Sequence, residues 1–482
     1  MRLNAYEIAD ATGGTVTVPP SSTDDGACRI CWDSREVRAG DLYVALPGER
    51  VDGHDFMAAA IDAGASAALV SATLNDSVLD AAQRAGCAIV TVENVQTAIV
   101  DLARAWRGQL QGKVMALTGS SGKTTTKNLV RDVLAAQGSV IATQGNQNNE
   151  LGVPATLLRA DEQTDAVIVE MGMRGVGQLE DLCAYVRPDM ALVTNVGESH
   201  IELLGSRDNI AAAKAEALVA LPDATGIAFL NASDDFAAVM VEHAHLRERG
   251  VRVVFFDGSG CNPQSYTAEM RPEVYASGCS IDDAGHTSFT LHTPRGAAPC
   301  QLQLLGTHNV HNACAAAAVG ATLGMDVNDI VAALEAARSM GGRQQVVHTN
   351  EGATIIDDAY NANPDSMRAS LQTFSQMKAA GQRIAVLGDM FELGDFALAG
   401  HAQMGRLAAD AHLDLLICVG ALSRETARAA RDAGMSADSV IEVDDANQAL
   451  ALLDGKLSEG DVVLIKASHG VELDRVVKGL ID

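Results

Sequence analysis

Short apolar runs, broken by polar and glycine-rich stretches, recur along the whole chain. Runs of four or five such residues between turn signals predict strands covered on both faces, and their alternation with helical segments predicts wound parallel sheets. Strand candidates at 42–46, 67–70 and 88–92, with an alanine-rich helical stretch at 57–63, predict a small α/β unit at the start of the chain. Pro19-Pro20-Ser21-Ser22 and the polar run to Gly26 read as a loop inside that unit. A helix near 98–107 leads to a strand at 114–117, and further apolar strands are predicted at 166–169, 190–193, 227–230 and 253–256. Residues 260–305, with Tyr266, Tyr275, Phe289 and the alternating Gln301-Leu302-Gln303-Leu304, predict an appended antiparallel edge. A last series at 354–356, 384–387, 415–419 and 462–465 predicts a Rossmann-like unit.

The 114–117 strand runs into Thr118-Gly119-Ser120-Ser121-Gly122-Lys123-Thr124-Thr125, which opens a helix. Glycines let the backbone turn its N–H groups around phosphate oxygens, the helix N-terminus adds positive potential, Lys123 supplies a point charge, and the Thr124 hydroxyl is a Mg2+ ligand candidate. The loop is shorter than the full G-x-x-x-x-G-K-T pattern, because Leu117 stands at the first glycine. Its strand–loop–helix setting therefore carries much of the reading as a nucleotide-phosphate cradle.

A chain of 482 residues suits two or three domains. No uncharged apolar run reaches the roughly 18 residues of a bilayer span, and Met1-Arg2-Leu3-Asn4-Ala5-Tyr6-Glu7 is polar where a signal peptide needs apolar residues. A cytoplasmic protein without membrane insertion is expected. The net charge of −27, from 35 Lys and Arg against 62 Asp and Glu, disfavours a nucleic-acid or anionic-membrane partner. Anionic substrates must then be held by a few local cations. Nine cysteines scattered from Cys28 to Cys418 read as reduced thiols, and Cys28-x-x-Cys31, with no second pair or nearby histidine, is a weak zinc or redox candidate.

Other strings carry candidate chemistry. Ala166-Val167-Ile168-Val169-Glu170 ends a buried strand in a carboxylate, making Glu170 a metal-ligand candidate. Leu192-Val193-Thr194-Asn195-Val196-Gly197-Glu198-Ser199-His200 delivers a polar loop to the same sheet edge, with His200 a ligand or orienter candidate against a plain solvated histidine. The Gly145-Asn146-Gln147-Asn148-Asn149-Glu150 loop offers amides to phosphates or sugars without repulsive charge. Lys214, in Ala211-Ala212-Ala213-Lys214-Ala215-Glu216, reads by periodicity as a surface lysine. Asn309 and Asn312 precede or open an alanine-rich helix, where capping is the default and reading a purine edge the alternative. Asp357-Asp358-Ala359-Tyr360-Asn361-Ala362-Asn363-Pro364 ends a strand in two carboxylates; Arg343 is a candidate for a γ-phosphate and an Asp for a ribose hydroxyl, against a salt-bridged domain junction.

Taken together with Asp33-Ser34-Arg35, Gly48-Glu49-Arg50-Val51-Asp52-Gly53-His54-Asp55-Phe56 and Leu387-Gly388-Asp389-Met390-Phe391-Glu392-Leu393-Gly394, these strings resemble the Mur ligase family, ATP-dependent amide-forming enzymes of bacterial cell-wall precursor synthesis. The resemblance spans nearly the whole chain, and its Asn-Ala-Asn-Pro and Gly-Asp-Met segments are similar to the branch that adds D-alanyl-D-alanine to UDP-N-acetylmuramoyl-tripeptide. The Asp-Asn-Pro-Arg string of the diamino-acid-adding branch is absent.

The resemblance implies an α/β fold of three domains: residues 1–93 binding the UDP end of the substrate, a central P-loop ATPase domain with a mostly parallel sheet at 94–325, and a Rossmann-like domain at 326–482 that closes over ATP. It implies nucleotide binding by Gly119, Ser120, Ser121, Gly122, Lys123, Thr124 and Thr125, Mg2+ binding by Thr124 and Glu170, and a second Mg2+ site at His200. Lys214 matches the family's carbamylated lysine, which reverses its local reading. Asn309 and Asn312 would face adenine, and Arg343 and Asp358 the phosphate and ribose; Ser34, Arg35, His54, Asn148, Asn149, Tyr360, Asn361 and Asn363 would serve substrate. Lys123, Lys214, His200 and Arg343 would be catalytic, in a monomer. Lys466-Ala467-Ser468-His469-Gly470 departs from the family's Lys-Gly-Ser-Arg. The competing readings are another Mur-type or folylpolyglutamate-synthase-like ligase, and a nucleotide switch; the Asn-Lys-x-Asp string of a guanine switch does not occur.

Overall fold

Three sheets carry the chain, and the computed structural model describes residues 1–22, 26–48 and 51–481. Glu49, Arg50 and part of the 19–26 loop lie outside the described residues. The first sheet joins β1 (Thr15–Val18), β2 (Arg29–Cys31), β3 (Asp41–Val44), β4 (Ala67–Val70) and β5 (Ala88–Thr91) in the order β1-β5-β4-β3-β2. It is parallel except where β1 pairs with β5.

The central sheet comprises β6 (Lys113–Thr118), β7 (Val140–Ala142), β8 (Ala166–Glu170), β9 (Met190–Val193), β10 (Ile227–Asn231), β11 (Arg252–Asp257), β12 (Val274–Ile281), β13 (His286–Thr293) and β14 (Gly296–Leu305). Its order is β14-β13-β12-β11-β10-β9-β6-β8-β7, parallel from β7 to β12. The predicted antiparallel edge is the meander β12–β14, although β12 itself continues the parallel array beside β11. The third sheet, β15 (Gln345–His348), β16 (Thr354–Asp358), β17 (Arg383–Gly388), β18 (Leu415–Val419), β19 (Val440–Val443) and β20 (Val462–Lys466), has the order β15-β16-β20-β17-β18-β19 with only β15 antiparallel.

Helix Val95–Arg107 shows how the first two sheets are joined. Asn94 accepts the Thr97 N–H and caps it, and Ile99, Leu102, Ala103 and Trp106 fall on one buried face. That face enters a single apolar cluster with Leu42 and Leu69 of the first sheet and Val153, Leu157 and Val169 of the central unit. Each such large side chain contributes about 1.5–3 kcal/mol on burial, so the first and central units are one packed body. The third sheet has an apolar cluster on each face, one of which takes in Leu305 from the end of β14.

Candidate active site

The carboxyl ends of the central strands meet loops of the third sheet around a cleft of about 1080 Å³. Ligand sites in wound sheets form at this end of the strands.

The phosphate loop forms one wall. β6 ends at Thr118, and Gly122, at φ 74°, is the N-cap of helix Lys123–Ala135. A Cβ there would lie 2.6 Å from Asn312 Oδ1, and one at Gly119, at φ 148°, only 1.8 Å from Thr194 Oγ1. Both positions therefore demand glycine. No side chain caps this helix, so its N-terminus faces the cleft free to take an anion. The loop is braced from behind: Thr194 Oγ1 donates to Ser121 O (2.6 Å), and the Ser120 and Ser121 N–H groups donate to Asn195 O and Oδ1, each at 3.0 Å. Lys123 Nζ donates to Gly119 O at 2.8 Å, and burial lowers its pKa against the pull of Glu170.

β8 places Glu170 beside the loop, 1% exposed. Its Oε1 accepts from Thr124 Oγ1 (3.1 Å) and Asn148 Nδ2 (3.0 Å), while Oε2 lies 3.6 Å from Lys127 Nζ without a hydrogen-bond partner. A buried carboxylate oxygen left unsatisfied next to a threonine hydroxyl and a phosphate loop suits a hard divalent cation. Among the described residues no group of three or more His, Cys, Asp or Glu could hold a metal.

His200 follows β9 in a left-handed conformation, φ 63°, and its Nδ1 is 2.8 Å from Glu392 Oε2. This is a charge contact whose angle falls short of a hydrogen bond. Burial lowers its pKa, Glu392 opposes, and Lys123 and Lys214 add to the lowering. Lys214 corrects its local reading: it is 1% exposed, not a surface residue. Helix Arg207–Val219 buries Ile210, Ala211, Ala213, Ala215, Ala217 and Leu218 around it, a nearly all-round burial that an alanine-rich pattern hides. The Lys214 amine makes no hydrogen bond or ion pair among the described residues, and burial, reinforced by Lys123, drives its pKa well below that of an ordinary lysine.

The third sheet supplies the opposite wall. The Gly342 N–H donates to Asp357 Oδ2 (2.9 Å) and the Tyr360 N–H to Gly342 O (3.0 Å), which holds the Arg343 guanidinium 4.1 Å above the Tyr360 ring. Tyr360 stacks on His469 at 6.0 Å. Asp358 is already engaged: it pairs with Lys466 Nζ at 2.8 Å and accepts from Ser370 Oγ at 2.5 Å. That ion pair joins neighbouring strands β16 and β20 within the third sheet, so it is not a salt bridge between domains, and Lys466 also donates to Asn361 O at 2.9 Å. Asn363 caps helix Pro364–Gln376 and reaches across to Ser199 Oγ at 2.6 Å.

Asn309 and Asn312 line the cleft but do not cap their helix, which corrects the default reading. Helix His308–Thr322 begins at Thr307 without a side-chain cap. Asn309 Nδ2 instead donates to Leu305 O (2.8 Å), and Asn312 Nδ2 to Asn309 Oδ1 (2.8 Å), an amide chain one turn inside the helix. Asn149 Oδ1 accepts the Gly152 N–H at 3.0 Å at the cleft edge.

Ser34, Arg35 and His54 lie on the first unit, outside this cleft. Arg35 pairs locally with Asp33 at 2.6 Å. Both nitrogens of His54 are in use: Nδ1 contacts Asp52 Oδ1 at 2.6 Å, and Nε2 accepts the Ser71 and Ala72 N–H groups at 2.9 and 3.2 Å. Sequence reading missed Lys127, Asn195, Asp365 and Glu392. Lys127, one helical turn past Lys123, is the one with a usable periodic signal.

Models of the Mur ligase family match in register: its catalytic domain at residues 29–109, its middle domain at 117–320 and its glutamate ligase domain at 342–469. A UDP-N-acetylmuramoyl-tripeptide–D-alanyl-D-alanine ligase of Mycobacterium tuberculosis is 38% identical, over 100% of this chain and 98% of its own length. A crystal structure of MurF from Acinetobacter baumannii superposes with a TM-score of 0.82 at 30% identity, covering 100% of this chain and 99% of that one. MurF ligase from Thermotoga maritima, crystallised with ADP, gives a TM-score of 0.74 at 28% identity, covering 94% and 97%. Matched in this way from end to end, the chain belongs to the Mur ligase family.

Proposed function

We propose that the chain is an ATP-dependent amide ligase that adds D-alanyl-D-alanine to UDP-N-acetylmuramoyl-tripeptide. One observation carries the reading: a phosphate loop on the central sheet faces Arg343, Tyr360 and Asn363 of the third sheet across a single cleft, in a chain whose full-length relatives bear that name. Residues 1–93 would take the UDP end, 94–325 the nucleotide, and 326–482 would close over it. Among the described residues no helix is long and apolar enough to cross a membrane.

A carboxylate has no adequate leaving group for amine attack, so it must first be activated. The tripeptide's terminal carboxylate oxygen attacks the γ-phosphorus of ATP, breaking the bond to ADP and forming an acyl phosphate. The dipeptide's free amine then attacks the acyl carbon, and phosphate leaves. Lys123 and the uncapped helix N-terminus neutralise the transferring phosphoryl group, and Arg343 meets it from the other wall. Mg2+, held by Thr124 and Glu170, would neutralise further phosphate charge. An acyl phosphate hydrolyses in water, so the two walls must shut before it forms.

Lys214 supports carbamylation by its environment. Burial disfavours its charged form, and a neutral amine adds CO2 with release of a proton; the resulting carbamate anion would sit beside His200 and Lys123 and serve a second cation. Phosphate release that requires both substrates, with the UDP-linked pentapeptide detected by mass, tests the function. ATP consumption without that product, or stimulation by a partner protein with no dipeptide requirement, would overturn it.

A further inference from the structure

Two non-glycine residues at the cleft mouth adopt left-handed backbone, His200 at φ 63° and Glu392 at φ 61°, and they touch each other. Such conformations are costly for ordinary residues and collect at clamps and switch regions. The two lie on opposite sides of the cleft: His200 follows a central strand, Glu392 a third-sheet strand. Glu392 Oε2 is 2.8 Å from His200 Nδ1, and its Oε1 is 3.3 Å from the Arg174 guanidinium, also on the central side.

The loop bearing Glu392 is rigid from beneath. The Met390 N–H donates to His401 Nε2 (3.0 Å), the Phe391 N–H to Ser468 Oγ (2.9 Å), and Asp389 Oδ1 accepts the Ser423 N–H (2.7 Å). The next turn lies close against helix Ile201–Leu204: a Cβ on Gly394 would meet Glu202 Cγ at 2.7 Å. A strained carboxylate on a braced loop lies in charge contact with one nitrogen of a strained histidine, one small rotation short of the hydrogen bond by which carboxylates fix histidine orientation.

We propose that Glu392 is a positioning residue that orients His200 from across the cleft, so that the His200 site is complete only when the third unit is closed. The carboxylate faces Nδ1, which leaves Nε2 for the site whose charges, Lys123 and Lys214, already act on the ring. The proposal rests on the reading of His200 as an active-site residue. It makes closure itself part of assembling the site, and ties ATP activation to exclusion of water.

The test is a cycle of Glu392→Gln, His200→Ala and the double variant, assayed as full-length protein for pentapeptide formation. Glu392→Gln is expected to lower kcat about tenfold or more with KM for ATP and the UDP-tripeptide within about twofold, and to add nothing in the His200→Ala background. Glu392→Gly, which removes the side chain and relieves the positive φ, is expected to lose the same activity while its Tm holds or rises. An unchanged kcat, a full additional loss on top of His200→Ala, or a Tm that falls in step with activity would overturn the proposal. Absence of ligation by the wild-type protein would instead overturn the functional reading. In that case small-angle scattering still decides: the clasp stands if Glu392→Gly is more open than the wild type with a nucleotide analogue bound, and falls if the two profiles coincide.

Discussion

At Gly122 the backbone, the helix dipole and the neighbouring Asn312 all bear on one residue. Gly122→Ala must hold a Cβ at φ 74° and 2.6 Å from Asn312 Oδ1, a left-handed penalty of about 1–2 kcal/mol before any clash. Its KM for ATP is expected to rise about tenfold or more in steady-state assays. Lys123→Ala removes a half-buried charge from the reacting phosphoryl group, and about a 100- to 1000-fold loss of kcat is expected, by analogy with loss of one electrostatic donor. Histidines set the acid limit. Burial pushes His308 down to about 4, with Asp358 opposing, and burial also lowers His401, whose Nε2 accepts the Met390 N–H. The folded state therefore binds these protons less readily than the unfolded chain, whose histidines titrate near 6.5. Stability is full above that pH and is lost as pH falls toward about 4. Thermal melts are expected to show a lower Tm at pH 5 than at pH 7.5, with a shallower dependence in His308→Gln.

Among the elements, helix Pro364–Gln376 couples stability to the site. Asn363→Ala deletes its cap, worth about 1 kcal/mol, together with the 2.6 Å contact to Ser199 across the cleft. A Tm lower by about 2–4 °C is expected, with a raised KM for the acyl substrate. Elements of this kind differ in how far the sequence reveals them. β9 and β18 are fully or nearly fully buried, and their continuous apolar runs mark their ends to the residue. β1, β2, β7, β15 and β19 escape the same reading because they are only three or four residues long and mostly half-exposed edges, where pairing rather than patterning makes the strand. The phosphate loop and Glu170 are legible because local sequence builds them. Lys214 and Glu392 are not, because their surroundings come from residues far along the chain, and only a family likeness singled out Lys214.

For the molecule as a whole, the kind of contact decides which parts move. The first and central units share one extensive apolar cluster through helix Val95–Arg107, whereas the cleft is bridged by polar contacts, Asn363 with Ser199, the Glu198 N–H with Asp365 at 3.2 Å, and Glu392 with His200 and Arg174, beside a single core side chain, Leu305, that joins the third unit's cluster. Polar contacts exchange readily with water and suit a surface that opens and shuts; a common core does not. A non-hydrolysable ATP analogue at about 100 times its Kd is expected to stabilise the protein by about 2.7 kcal/mol, read as an upward Tm shift. The shared core also governs how the chain comes apart. Because helix Val95–Arg107 is packed into both of its neighbours, a protease finds no loose tether between the first two sheets. Brief digestion is expected to cut near Gly341 and Gly342 and release two fragments rather than three, the larger still folded around its nucleotide loop.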